Sequence, residues 1–199
     1  ERKLEMLAYD ADLELFRDNF KRFMSEHIAP HYEQWEREGL MPRSVWTLLG
    51  ENGFLCVDVP EEYGGYGVPT HYSLMLVEES ARAGYCALST GISCHSEIAA
   101  PYIQHIGTEE QKQYWLPKMV SGEAVGAIGM TEPGAGSDLQ AMRTSAILQD
   151  DHYLLNGSKT FISNGQHADV VVLAVKTDPQ ARAKGVSLLL VDTHLDGFK

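Results

Sequence analysis

The sequence predicts a multi-domain α+β protein: an N-terminal all-α helical domain over residues 1–122, followed by an antiparallel β domain over residues 123–199. Three observations carry this. Up to Gly122 the apolar residues recur at three- and four-residue spacing, the period of one helix face. Beyond Gly122 they gather into short β-branched or aromatic runs parted by Gly, Asn, Asp and Pro. No repeat and no low-complexity linker separates the two patterns, so the halves join directly at about residue 122.

From Ala11 to about Glu38, Leu13, Phe16, Phe20, Phe23 and Met24 mark one buried stripe, and Pro30 should end or kink that helix. His27 and His31 are four apart, but Pro30 lies between them and no His-Glu-x-x-His is present, so no metal site is expected. Pro42 suits a helix start, Val45, Trp46, Leu48 and Leu49 supply its apolar face, and Gly50 to Gly53 end it. Pro60-Glu61-Glu62-Tyr63-Gly64-Gly65-Tyr66-Gly67 reads as a glycine-rich connector. A helix resumes at Thr70 with Leu74, Leu76, Val77 and Ala81 packed. Its neighbours Glu78 and Glu79 point about 100° apart, which favours a solvated face or ion pairs to Arg82 over an acid/base pair.

The run Cys86–Ile106 is apolar nearly all round, so it should be buried on most faces, with Gly91, Ser93 and Ser96 leaving room beside it. Thr108-Glu109-Glu110-Gln111 is a capping box opening a helix through Tyr114, Trp115, Leu116 and Met119. The strand-like runs are 125–130, 146–148, 153–163, 170–175 and 186–191.

With 44% apolar and 22% charged residues over 199 positions, the composition is that of a soluble globular protein. A net charge of −12 argues against nucleic acid or an anionic membrane as partner. No apolar run reaches the roughly 20 residues of a membrane span. Glu1-Arg2-Lys3 leads into an acidic, helix-like stretch rather than a signal peptide. Cys56, Cys86 and Cys94 are too few and too odd in number for a disulfide framework; buried thiols in bacterial cytoplasm or mitochondrial matrix are expected.

The chemistry concentrates in Ile128-Gly129-Met130-Thr131-Glu132-Pro133-Gly134-Ala135-Gly136-Ser137-Asp138, which follows a short apolar run. Pro133 fixes one φ angle, while Gly134 and Gly136 let backbone approach a ligand. Thr131 and Ser137 add hydroxyls, so the loop aims donors at something flat or anionic. It lacks the third glycine of a Rossmann fingerprint and the Gly-Lys-Ser/Thr of a Walker loop. Taken by itself, an ordinary turn between strands remains the alternative. A second segment, Asn156-Gly157-Ser158-Lys159-Thr160-Phe161-Ile162-Ser163-Asn164-Gly165, brackets a strand-like run with turn dipeptides.

With both segments in view, the sequence resembles the acyl-CoA dehydrogenase family, with a leaning to its long-chain members. Pro60-Glu61-Glu62-Tyr63-Gly64-Gly65 and Gly107-Thr108-Glu109-Glu110-Gln111 extend the likeness over essentially the whole chain. The resemblance implies FAD as cofactor and a fatty acyl-CoA thioester as substrate. Ile128, Gly129, Met130 and Thr131 then match the segment at the pyrimidine side of the flavin. Phe161, Ile162 and Ser163 match the second flavin segment, although many relatives carry Trp and Thr where this chain has Phe161 and Ser163. Gly136 and Ser137 match the phosphate end of the loop, and Ser137, Ala183 and Lys184 match contacts to CoA. The small residues of the 86–106 run fall where the acyl end lies.

The implied reaction is α,β-dehydrogenation: a carboxylate takes the α proton, the β hydrogen leaves as hydride to the flavin, and electrons pass to an electron-transfer flavoprotein. The family's base is a glutamate of a C-terminal helical bundle, expected beyond Lys199, so no glutamate of this chain takes that role. The resemblance therefore implies a truncated chain with weak or no FAD retention and no turnover alone, and a homo-oligomer, dimer or tetramer, at full length. An acyl-CoA oxidase or flavin monooxygenase of the same architecture is the related alternative. A non-catalytic helical interaction module is the unrelated one.

Overall fold

The computed structural model describes residues 11–199; the reading of the first ten residues as a helix-like lead-in lies outside them. The amphipathic stripe forms α1 (Ala11–Phe23), one wide π turn (Met24–Ile28) and α2 (Ala29–Glu38). Pro30 sits in the first turn of α2, where a missing N–H is least costly, and the π turn before it takes up the misfit. Gly39, at φ +75°, closes the rod in the left-handed conformation that glycine adopts without strain. There follow α3 (Ser44–Glu51), α4 (His71–Arg82), α5 (Cys86–Ile92), a second π segment (Ser93–Ala99), α6 (Ala100–Ile106) and α7 (Glu109–Val120). The capping box opens α7: Gln111 N–H donates to Thr108 Oγ1 at 3.2 Å, and Thr108 N–H donates to Gln111 Oε1 at 2.9 Å.

The helical core is built on aromatic contacts. Phe54 meets Phe20 and Phe23 edge-on, with ring centroids 4.9 and 5.1 Å apart. Trp46, Leu49, Leu76, Leu88 and Ile92 close around them. Each such side chain contributes roughly 1.5–3 kcal/mol by leaving water. The Glu78–Glu79 pair divides: Glu78 pairs with Arg82 on the surface. Glu79 is buried rather than solvated, held by the Arg17 guanidinium at 2.7 Å.

Beyond Gly122 the chain forms β1 (Gly126–Gly129), β2 (Ser145–Gln149), β3 (His152–Asn156), β4 (Val170–Lys176) and β5 (Val186–Asp192). The helical half followed by a sheet half is as expected. The sheet, however, is mixed rather than wholly antiparallel. β4 runs parallel to β1, from Gly126↔Val170 to Gly129↔Leu173, and antiparallel to β5 over its whole length. It also meets β2 in a parallel pair at Ser145↔Lys176, while β2 and β3 form an antiparallel hairpin. Strand direction is a matter of connection and not of residue type. The near-continuous apolar run of β4, buried at six of seven positions, is the pattern of a strand covered on both faces.

The expected strand over 153–163 stops at Asn156. Gly157 passes so close to Thr144 that a Cβ would lie 2.6 Å from its Cα, and beyond it the chain leaves the ladder. Phe161, at φ +57°, is in a conformation no strand residue holds.

The two halves are riveted at their junction. The Arg43 guanidinium donates to the carbonyls of Gly122 at 2.9 Å and Glu123 at 2.6 Å, and to the Asp169 carboxylate at 2.9 Å. Asp169 also accepts the Val125 N–H at 2.7 Å.

Candidate functional site

The glycine-rich loop leaves β1 at Gly129 and doubles back on itself. Glu132 and Ala135 exchange backbone hydrogen bonds of 2.9 and 3.1 Å across Pro133-Gly134. The Glu132 side chain then turns inward and accepts the amides of Arg143 at 2.6 Å and Thr144 at 3.0 Å, so one carboxylate fastens both ends of the loop. Burial alone raises its pKa. The Lys159 ammonium and those two amides outweigh burial and bring it down to about 2.

The second segment lies against the first. Thr160 N–H donates to Thr131 O at 2.9 Å, and Lys159 Nζ donates to Met130 O at 3.0 Å and Glu132 Oε1 at 2.8 Å. Asn164 anchors the far end, donating to Gly91 O at 3.0 Å and Gly126 O at 3.3 Å. Its φ of +63° suits asparagine, one of the few non-glycine residues that visits that region readily. The Cys94 thiol reaches Ser163 O at 3.7 Å, and burial pushes its pKa up, so it is held as a neutral thiol.

Between these walls lies a cavity of about 430 Å³. Ile128, Met130 and Thr131 line one side, Phe161, Ile162 and Ser163 another. Ser89, Thr90, Ser93 and Cys94 of α5 and the π segment form the floor, with Val77 and Ile98 beside them. Six of the expected cofactor residues therefore share one cleft. Gly129 is buried in the strand behind it and does not line this cleft. Phe161 is 92% exposed, while its backbone, at φ +57°, holds a conformation costing about 1–2 kcal/mol.

Gly136 and Ser137 lie on the exposed outer part of the loop and do not line this cleft. Neither do Ala183 and Lys184, which sit exposed on a turn before β5. Their neighbours Asp138 and Arg182 instead border a second cavity of about 530 Å³, together with Arg143 and Lys176. The two expected substrate segments thus flank a basic recess. Lys176 is buried there and donates to Arg182 O at 2.7 Å.

Glu132, Lys159 and Asn164 lie inside the two sequence motifs but carry no expected role there, and Arg143, Lys176 and Arg182 lie outside both motifs. A charged residue inside each glycine-rich segment was the available signal for the first two; nothing local marks the three basic residues.

Residues 10–123 match the acyl-CoA dehydrogenase N-terminal domain, and residues 127–199 match the acyl-CoA dehydrogenase middle domain. The chain is 40% identical over 192 residues to the long-chain specific acyl-CoA dehydrogenase, mitochondrial, of Sus scrofa, covering 96% of this chain and 44% of that protein. Among solved structures, the acyl-CoA dehydrogenase of Geobacillus kaustophilus superposes with a TM-score of 0.92 at 49% identity, over 96% of this chain and 50% of that one. An acyl-CoA dehydrogenase complexed with FAD from Bacillus anthracis superposes with a TM-score of 0.84 at 31% identity, over 96% of this chain and 33% of that one. The chain thus spans about half the length, or less, of the relatives it matches. Because the two matches between them take in both walls of the cleft and the helices beneath it, the chain belongs to the acyl-CoA dehydrogenase family.

Proposed function

We propose that this chain supplies the flavin-facing half of an active site for α,β-dehydrogenation of fatty acyl-CoA thioesters, with residues 123–199 as the flavin-binding part. The observation that carries the reading is the convergence of Thr131, Phe161 and Ser163 on one cleft whose floor is helical. The fit to FAD rests on this donor set. Two hydroxyls and a solvent-exposed aromatic ring suit a flat polar tricycle, and the volume is within the range of ligand pockets. A Cβ built on Gly134 or Gly136 meets no atom within 4 Å, so that edge of the loop stays open for the rest of the cofactor.

When bound, FAD supplies the two-electron acceptor for the hydrogen lost from the acyl β-carbon. Ile128, Met130 and Thr131 would form the wall at its pyrimidine side, with Gly129 in the strand behind them, and Thr131 offers donors where negative charge develops. Phe161 would cover a ring face, and Ile162 and Ser163 would hold its edge. Gly136 and Ser137 would lie toward the phosphates. The recess between Ser137 and Ala183-Lys184, with Arg143 and Arg182 on its walls, suits the anionic end of CoA. No residue of this chain takes the α proton. An electron-transfer flavoprotein receives the electrons from the whole protein, which assembles as a dimer or tetramer in mitochondrial matrix or bacterial cytoplasm.

Equilibrium titration of the chain with FAD, followed by quenching of flavin fluorescence, tests this. Low-affinity, saturable quenching, in keeping with weak retention and lost when Thr131→Val and Ser163→Ala are combined, is expected. Quenching that survives in the double variant, or none at any chain concentration, rejects the reading.

A further inference from the structure

The ion pair between Lys159 and Glu132 lies outside the roles given above, yet it touches both walls of the cleft. Its partners are 8% and 6% exposed, and the contact is 2.8 Å. A buried pair of this kind is poor evidence of stability, since well-packed apolar side chains would often serve as well. Glu132 already fastens the first loop through the Arg143 and Thr144 amides, and Lys159 is one residue before Thr160, whose N–H holds Thr131 O. Lys159 also donates to Met130 O, the carbonyl of the peptide unit whose N–H belongs to Thr131. No backbone carbonyl among the described residues accepts that N–H outside the sheet ladder. A cation on the carbonyl polarises the peptide and strengthens its N–H as a donor.

We propose that Lys159 and Glu132 are positioning residues: their ion pair holds the two walls in register and sets the charge behind the Thr131 donor. This rests on the flavin reading of the cleft. Each charge then acts with its own sign. Removing the lysine leaves a buried anion near the edge where negative charge develops on reduction. Removing the glutamate's charge leaves an unbalanced cation there.

The test uses the full chain and the variants Lys159→Met and Glu132→Gln, with three readouts: deuterium exchange at the Thr160 amide, FAD affinity by titration, and the midpoint potential of bound FAD. We expect faster Thr160 exchange and FAD affinity weakened about tenfold in both variants. The midpoint should move more negative in Lys159→Met and more positive in Glu132→Gln. A purely structural role shifts both potentials the same way or leaves them alone, and that outcome overturns the proposal. Glu132→Gln is isosteric and carries the test by itself if Lys159→Met does not fold. Should the unaltered chain bind no FAD, the flavin reading fails separately. The exchange data then decide the pair, because Thr160 protection unchanged in the variants sinks it and its loss upholds the register.

Discussion

His95, from the π segment beneath the cleft, accepts the backbone N–H of Gly126 at 2.9 Å through Nδ1 and so fastens the helical half to the first strand. Its Nε2 therefore carries the proton and donates to Met119 O at 3.0 Å. The ring is wholly buried, with Trp46 packed 5.2 Å away, and burial pulls its pKa from 6.5 down to about 4. A proton on Nδ1 would break the bond to Gly126.

That arrangement predicts acid lability with a defined window. The unfolded chain takes up a proton at His95 near pH 6.5 and the folded chain only near 4, so stability is lost as pH falls through that interval. The contribution of this residue is roughly 3 kcal/mol. Urea midpoints measured from pH 7 to pH 4 should show the slope. His95→Gln, which can still accept from Gly126 and donate to Met119, should flatten it; an unchanged slope removes His95 as the cause.

Phe161 separates stability from binding. Its ring is nearly all in solvent and its backbone sits at φ +57°, so Phe161→Gly removes strain and no buried contact. Thermal unfolding should be unchanged within about 0.5 kcal/mol or improved, while FAD affinity falls. A clear drop in melting temperature would mean that the ring already packs on something.

Gly157→Ala should be among the most damaging single-methyl changes. The new Cβ would lie 2.6 Å from Thr144 Cα, and backbone has nowhere to go between two tied loops. A loss of ~2–4 kcal/mol in denaturant unfolding is expected. Gly134→Ala, with nothing within 4 Å of the added carbon, is the control and should cost far less.

Arg43→Gln loosens the junction by deleting contacts to Gly122, Glu123 and Asp169 together. Because the guanidinium is about a third exposed, a cost of ~1–2 kcal/mol is expected. The fully surface pair Arg37–Glu33 makes the comparison: Arg37→Ala should change unfolding by less than about 0.5 kcal/mol. Equal losses would show that the junction contacts carry no special weight.

What the sequence makes legible is what is local. Thr108 and Gln111 lie three residues apart, so their capping box is written in the order of the letters and forms as expected. The helix-to-sheet change at Gly122 is a change of period and equally visible. The lysine that fastens Glu132 is 27 residues away, and the asparagine that anchors the second wall reaches 73 residues back to Gly91. Those are facts of tertiary approach, which spacing does not encode. Strand direction failed to show for a related reason, since Val170–Lys176 reads the same whichever way its neighbours run. The strand predicted through Phe161 ran on because aromatic and β-branched letters favour extension, while closeness to Thr144 and the hydrogen bonds of the two loops decided otherwise.

The place of β4 has a kinetic consequence. It is the shared neighbour of β1, β2 and β5, yet Val170 is synthesised 44 residues after its partner Gly126. While the ribosome is still working through that interval, the helical half and the β2–β3 hairpin can mature from short-range contacts, but β1 emerges with an unmet edge. Closing so wide a gap is slow compared with forming helices. The nascent chain is therefore most exposed to self-association just before Val170 leaves the exit tunnel, and a pause there would lengthen its dependence on chaperones.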